Sequence, residues 1–147
     1  MRIMKKLITS LTLVCALLFL TSCEKETLLS EQDIPSEIKS FVSTHFPNCT
    51  ISKAIKENDE NDEAYEITLS CGVTLEFDKH IKVIDIDGTS RLPDSVIPHN
   101  ILSYVNSNYA PNYILGWEIL SNNQKVQLNN GLVLVFNMAG DFLRVDG

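Results

Sequence analysis

Apolar side chains recur along this chain with two different spacings. From residue 34 onward the spacing is i, i+4, i+7, i+8, which places its members on one face of a helix. These members are Ile34, Ile38, Phe41 and Val42. Further along, as in Val73, Leu75 and Phe77, every second residue is apolar, which is typical of a strand with one buried face. The order of the two spacings predicts a helix followed by strands.

This succession occurs twice, and the repeat defines the domain organisation. Positions 34–46 recur at 97–109 with an offset of 63, and positions 72–88 recur at 131–147 with an offset of 59. We therefore predict an α+β fold of two tandem units, each a helix followed by a four-stranded antiparallel meander. The first unit is residues 34–88, the linker 89–96 and the second unit 97–147. The pattern leaves open whether the units share one continuous sheet.

Residues 1–22 are predicted to be a signal peptide. Arg2, Lys5 and Lys6 precede an apolar run from residue 7 to 20, which is shorter than the roughly 20 residues of a membrane-spanning helix. Leu20, Thr21 and Ser22 then lead to Cys23, an order typical of a lipobox in which Cys23 carries the lipid. Residues 23–33 are predicted to be a flexible lipidated tether. The expected location is the envelope of a Gram-negative bacterium, facing the periplasm or the outer-membrane surface.

The mature chain would be strongly acidic. Removing residues 1–22 takes away three of twelve Lys and Arg and none of nineteen Asp and Glu, which leaves nine against nineteen, a net charge of −10. Such a surface repels nucleic acid and anionic lipid head groups, so neither is expected as a partner. The expected membrane contact is the lipid anchor alone.

Two cysteines remain in the exported domain, Cys49 and Cys71. A hairpin register that places Ile51 opposite Leu69 and Lys53 opposite Ile67 also places Cys49 opposite Cys71 and collects the apolar residues on one face. Since the compartment is oxidising, a disulfide is predicted, and closing this loop would stabilise the fold by about 3 kcal/mol. The alternative is a redox or nucleophilic cysteine acting with His45 on the neighbouring helix.

No other residues form a convincing catalytic, cofactor or metal site. The acidic run at 57–63 lacks the central glycine and the closing acid of an EF-hand and coincides with a predicted hairpin tip. Asp85, Asp87 and Asp146 alternate with apolar residues and are predicted on the solvent side of the sheet, with paired-carboxylate chemistry left open. Catalytic residues, cofactors and metals are predicted as none, and the protein is predicted not to be an enzyme.

The two units resemble the PepSY-like, β-lactamase-inhibitor-like family over essentially all of the chain after the tether. The first unit carries the resemblance on Ile34, Pro35, Phe46, Pro47, Tyr65, Glu66, Ile67, Leu69, Gly72 and Phe77. The second carries it on Ile97, Pro98, Tyr109, Pro111, Val126, Leu128, Asn130, Gly131 and Phe136. The resemblance implies an exported domain with helices against antiparallel sheet and supplies no catalytic residues. Ile81 stands where the second unit has Gly140, so a different turn is expected there.

The functional hypothesis is a non-catalytic, envelope-anchored binding module that engages a protein partner through the exposed sheet face or the hairpin tips, with inhibition of a peptidase as one form of that binding. One alternative is a small-ligand carrier with a cleft between helices and sheet. An enzyme of unknown type is the third hypothesis. The sequence does not predict an oligomeric state.

Overall fold

A computed structural model describes residues 25–59 and 62–146, so the predicted signal peptide lies outside the described residues. Within these residues the chain forms two α-helices and nine strands. In chain order they are β1 (Lys25–Leu28), α1 (Ser36–His45), β2 (Ile51–Asp59), β3 (Asp62–Leu69), β4 (Val73–Phe77), β5 (Val83–Gly88), α2 (His99–Asn108), β6 (Ile114–Ile119), β7 (Asn123–Leu128), β8 (Val133–Asn137) and β9 (Phe142–Asp146). A short 3₁₀ turn at Asp94–Val96 precedes α2.

All nine strands belong to one antiparallel sheet, in which each strand pairs with its neighbours in the sequence. The predicted α+β class is confirmed, and the two units do share a continuous sheet, because β5 of the first pairs with β6 of the second. Ile86 lies opposite Trp117 at this junction. Neither helix of the described region has the length and apolarity that crossing a membrane requires.

The sequence predicts eight strands, four in each unit, whereas the structure has nine in the described residues, because β1 precedes the first unit. Its four residues pair with β2, and Leu28 lies opposite Ile55. The backbone N–H of Leu29 then donates to the carbonyl of Ala54 at 2.9 Å, and the Leu29 side chain packs against the core. The flexible character expected for 23–33 is therefore corrected over 25–33, which form a strand and a turn. A polar segment can form a strand here because the edge of β2 offers unpaired backbone groups.

Both helices pack on the same face of the sheet. Their inward residues join one core with the alternating residues of strands from both units, and most of these side chains are fully buried. Fully buried members include Ile38, Ile67, Leu75, Ile86, Ile101, Val126, Leu128 and Leu134. We call the opposite face, which carries Glu66, Glu76, Asp85, Glu118 and Lys125, the open face.

The two units repeat their packing closely. Phe41 of α1 meets Phe77 edge-on with ring centroids 5.4 Å apart, and Tyr104 of α2 meets Phe136 in the same way at 5.5 Å. These are equivalent positions of the repeat, at offsets of 63 and 59. Aromatic pairs in this geometry stabilise beyond their area burial. The duplicated helix–sheet contact therefore organises both halves of the core.

The predicted register of the β2–β3 hairpin is right at one end only. Ile51 lies opposite Leu69 as expected, whereas Lys53 lies opposite Thr68 rather than Ile67. A β-bulge between Ile51 and Lys53 inserts one extra residue and shifts the pairing beyond it. The second unit has its own shift between Ile114 and residue 116, at the equivalent place.

The expectation that the β4–β5 turn differs from the β8–β9 turn is wrong. Ile81 adopts a φ of +58° where Gly140 has +86°. The Asp78 carboxylate accepts backbone N–H groups from residues 80 and 82 at 2.9 Å each, as the side-chain oxygen of Asn137 does from residues 139 and 141. A left-handed isoleucine costs roughly 1–2 kcal/mol, which these hydrogen bonds and the packing of Ile81 against the core offset.

Gln124 is a buried polar side chain on the helix-covered face, 4% exposed. It accepts a hydrogen bond from the Trp117 indole N–H at 3.0 Å, and its amide donates to the carbonyls of Asn137 and Met138. Because buried polar groups destabilise when they lack partners, this network requires all of its members.

We therefore expect Gln124→Leu to lower the free energy of unfolding by about 2 kcal/mol, since the indole N–H and a backbone carbonyl lose their partner inside the core. Urea denaturation followed by Trp117 fluorescence measures this. Gln127→Leu, on the exposed side of the same strand, is the control and should shift stability by no more than about 0.5 kcal/mol. Equal losses in the two variants would contradict this role of Gln124.

Candidate functional site

A row of carboxylates crosses the open face at the centre of the sheet. Glu66 lies opposite Glu76, Glu76 opposite Asp85, and Asp85 opposite Glu118 on successive strands. We call Glu66, Glu76, Asp85 and Glu118 the carboxylate row. Like charges directly opposite each other destabilise a sheet by roughly 0.2–1 kcal/mol per pair. Lys125, opposite Glu118, ends the row in the second unit.

Partial burial and the closeness of these carboxylates raise the pKa of the two at the middle of the row, Glu76 and Asp85. Partial burial raises the pKa of Glu76 above its ordinary value, and the nearby negative charges, Asp85 first among them, raise it further. Burial also raises the pKa of Asp85, followed by the charges of Glu118 and Asp87, against a lowering hydrogen bond from the backbone of Ile86. The two acids at the middle of the row are therefore easier to protonate than free carboxyl groups.

The row borders a depression where the two units meet. It has a volume of about 330 Å³ and is lined by Asp85, Asp87, Gly116, Glu118, Lys125 and Gln127, with parts of Ile86, Trp117 and Val133. Gly116 lies on the open face opposite Asp87 of β5 and Gln127 of β7, and it has no side chain to fill the space. Three carboxylates and one ammonium group therefore surround an open floor.

The backbone does not require glycine at position 116. A Cβ placed there would lie 3.5 Å from the carbonyl of Ile86, 3.6 Å from Cβ of Gln127 and 3.7 Å from Oδ1 of Asp87, all ordinary van der Waals distances. Gly116 is also not among the positive-φ glycines. The effect of glycine at this position is therefore to keep the depression open.

The chemistry of the depression favours a cationic group. Carboxylates that face one another gain stability when a positive charge comes between them. Within residues 25–59 and 62–146, no group of three or more His, Cys, Asp or Glu is placed to hold a metal ion. An ammonium or guanidinium group on a flexible side chain fits the arrangement, because it needs no fixed coordination geometry.

A larger groove lies elsewhere, beside β1. Its volume is about 570 Å³, and it is lined by the end of β1, the segment that leads to α1, α1 itself and the start of β2, among them Leu29, Ile34, Lys39 and Ile51. The interface between helices and sheet, where a carrier would hold its ligand, is filled by fully buried side chains such as Ile38 and Ile67. The small-ligand hypothesis therefore rests on this half-open groove at the edge of the sheet.

The structure contains a disulfide between Cys49 and Cys71, with Cα atoms 5.6 Å apart. It ties the segment before β2 to the turn between β3 and β4. Because the two sulfur atoms are bonded to each other, neither is a thiolate. The ring of His45 has a different partner, since its Nδ1 lies 2.9 Å from the Ser95 hydroxyl and joins α1 to the segment before α2. The cysteine–histidine hypothesis is therefore wrong for this state of the protein. Cys23 lies outside the described residues.

Replacing Glu76 by glutamine removes one charge from the row. Because the pKa of Glu76 is higher in the folded chain than its ordinary value of 4.5, ionisation of Glu76 opposes folding, and this penalty grows as the pH rises through the raised pKa. We expect Glu76→Gln to stabilise the protein by about 0.5 kcal/mol at pH 7 and low salt, and by much less at pH 4, below the raised pKa, where the parent carboxyl is mainly protonated. Urea denaturation at both pH values measures the difference.

Glu31→Gln, at an exposed position away from the row, is the matched control and should leave stability at pH 7 unchanged. A Glu76→Gln advantage of the same size at pH 4 and pH 7 would show that charge repulsion in the row is not its cause.

Comparison with known proteins places the chain in a family. The family model described as "Putative beta-lactamase-inhibitor-like, PepSY-like" matches twice, over residues 20–85 and 86–144. No curated protein matches the chain.

Three solved structures from Bacteroides are similar to this one. A putative periplasmic protein of the DUF2874 family from Bacteroides vulgatus is 28% identical, with a TM-score of 0.78 over 84% of this chain and 98% of that one. A putative calcium-regulated periplasmic protein from Bacteroides thetaiotaomicron is 25% identical, with a TM-score of 0.77 over 83% and 97%. A putative periplasmic protein of unknown function from Bacteroides vulgatus is 23% identical and shows the fold alone, with a TM-score of 0.77 over 83% and 99%. Because the family model covers both units, this chain belongs to the PepSY-like family.

Proposed function

We propose that this chain is a non-catalytic binding module of the cell envelope, anchored through a lipid on Cys23, whose open face binds a basic side chain of a protein partner. The observation that carries the proposal is the carboxylate row beside the Gly116 depression. The row brings like charges together across three strand pairs. Since such pairs oppose folding, their presence favours a role outside stability.

The internal repeat supports this argument. Glu66, Glu76 and Asp85 correspond, at an offset of 59, to Lys125, Val135 and Arg144 of the second unit. The second unit thus has the same strands with two basic residues and one apolar residue at these positions. The fold itself therefore does not require acidic residues there. The helix-covered face behaves differently, since Phe77 and Phe136 hold equivalent places with the same aromatic contact.

The envelope location rests on the amino terminus and on similar proteins. Residues 1–22 have the charge and apolar pattern of an export signal that ends at Cys23. Two similar structures, at 28% and 25% identity, are of proteins described as periplasmic. An oxidising compartment also suits the Cys49–Cys71 disulfide.

The anchor is tested by Cys23→Ala in the full-length chain. We expect the variant to move from the membrane fraction to the soluble fraction and to lose incorporation of labelled fatty acid, because no thiol remains to carry the lipid. Cys15→Ala, within the predicted signal peptide, is the control and should behave as the parent. Retention of Cys23→Ala in membranes together with label would exclude Cys23 as the lipid site.

The binding site is tested by Gly116→Val. The distances around position 116 leave room for a Cβ, so folding should be kept while the valine fills the depression. We expect at least a tenfold loss of saturable binding of the labelled mature chain to envelope extract, which corresponds to about 1.4 kcal/mol. Asp85→Asn should weaken binding in the same assay, and added salt should weaken binding of the parent.

Thr44→Val is the control, because it places a valine at an exposed position of α1, on the helix-covered side of the sheet and away from the row. It should bind as the parent does. An arm with added calcium is included because one similar structure is of a protein described as calcium-regulated. Unchanged binding by Gly116→Val, or absence of any saturable binding by the parent, would count against the proposal.

A further inference from the structure

The last strand, β9, has a neighbouring strand on one side only in the described part of the chain. Its inner edge pairs with β8, where Val145 lies opposite Leu134. Leu143 and Val145 are 47% and 45% exposed, which places both among the few exposed large apolar side chains of residues 25–59 and 62–146. An apolar strand edge of this kind is a template for pairing with another strand.

The internal repeat shows what such an edge does in this fold. β9 corresponds to β5 at an offset of 59, so Val145 is the equivalent of Ile86. The outer edge of β5 is occupied by β6, and Ile86 lies opposite Trp117 with no exposed surface. The same edge thus forms the junction between the two units at β5, whereas no strand of the described residues covers it at β9.

We propose that β9 pairs antiparallel with β9 of a second copy of this chain, about a two-fold axis that places Val145 opposite Val145 of the second copy. The pairing extends the sheet across both molecules. It uses a surface separate from the Gly116 depression and does not depend on the proposed function.

Charge selects this register. Arg144 and Asp146 lie on either side of Val145 on the open face, and within one chain they form an ion pair with an Nε–Oδ1 distance of 2.7 Å. With the axis at Val145, Arg144 of each copy lies opposite Asp146 of the other, so the four charges alternate. An axis at Arg144 would instead oppose two guanidinium groups, and a shift of one residue would turn the apolar side chains to opposite faces.

The direction of the backbone hydrogen-bonding groups on β9 also fits an axis at Val145. The carbonyl of Ile86 lies 3.5 Å from the place of a Cβ on Gly116 of β6, so it points toward the outer edge of β5. By correspondence, the N–H and C=O of Val145 point out from β9. Two copies can then exchange both hydrogen bonds at Val145, which brings the Cα atoms to about 5.5 Å, within the range that a disulfide spans.

The test is Val145→Cys in the full-length chain, expressed in cells and analysed on non-reducing gels. A two-fold pair at this position should give at least fivefold more disulfide-linked dimer than Met138→Cys, which places the cysteine at a similarly exposed residue, 53% exposed, in the β8–β9 turn. A dimer yield equal to that of Met138→Cys would overturn the proposal. A new band with the mass of a heterodimer would do the same and assign the edge to another protein.

Charge variants in the Val145→Cys background test the register. Adding Arg144→Asp should reduce the dimer to the Met138→Cys level, because four acids would then meet at the axis, and adding Asp146→Arg to that variant should restore it. Dimer that persists unchanged with Arg144→Asp would overturn the proposed axis. Gly116→Val in the same background should leave the dimer yield unchanged, which separates this result from a failure of the proposed function. Thermal unfolding of each variant checks that it is folded.

Discussion

The structure depends on the burial of one face of a nine-stranded sheet by two short helices. Each helix has ten residues and is about 15 Å long, whereas eight strand spacings extend about 38 Å. Two helices of this size can cover one face only. Alternation along the strands therefore places most of the large apolar side chains beneath the helices and leaves the open face, the strand edges and the hairpin tips without a covering helix.

The spacing of apolar residues in the sequence predicts the helices and most of the strands. Helical spacing identifies α1 and α2, and alternation identifies the strands that follow each helix. Features that depend on backbone pairing are missed. β1 has no alternation of apolar residues and forms because the edge of β2 has unpaired backbone groups. The bulge before Lys53 shifts the pairing of β2 with β3 by one residue, which the apolar pattern does not indicate. Ile81 shows a third limit, since a side-chain acceptor at Asp78 stabilises a backbone conformation that isoleucine disfavours.

The candidate site was predictable only in part. Asp85 and Asp87 are expected on the solvent side from their alternation with apolar neighbours. Their closeness to Gly116 and Glu118 arises from the pairing of β5 with β6, two strands separated in the chain by a linker and a helix. Because β5 and β6 are not joined by a short turn, the sequence between them does not determine how their residues pair. The Gln124–Trp117 network was also missed, because in the first unit the equivalent places hold Tyr65 and Ala54, a pair without this hydrogen bond.

The junction explains why two units are joined in one chain. One wall of the depression, with Asp85 and Asp87, comes from the first unit, while its floor at Gly116 and the opposite wall come from the second. A single unit would carry neither the complete depression nor a partner for the outer edge of β5. Since the core is repeated and the open-face charges are not, the duplication supplies a stable scaffold on which the two halves can diverge in charge. The depression is then a property of the pair of units, and its position where β5 meets β6 follows from the sheet topology.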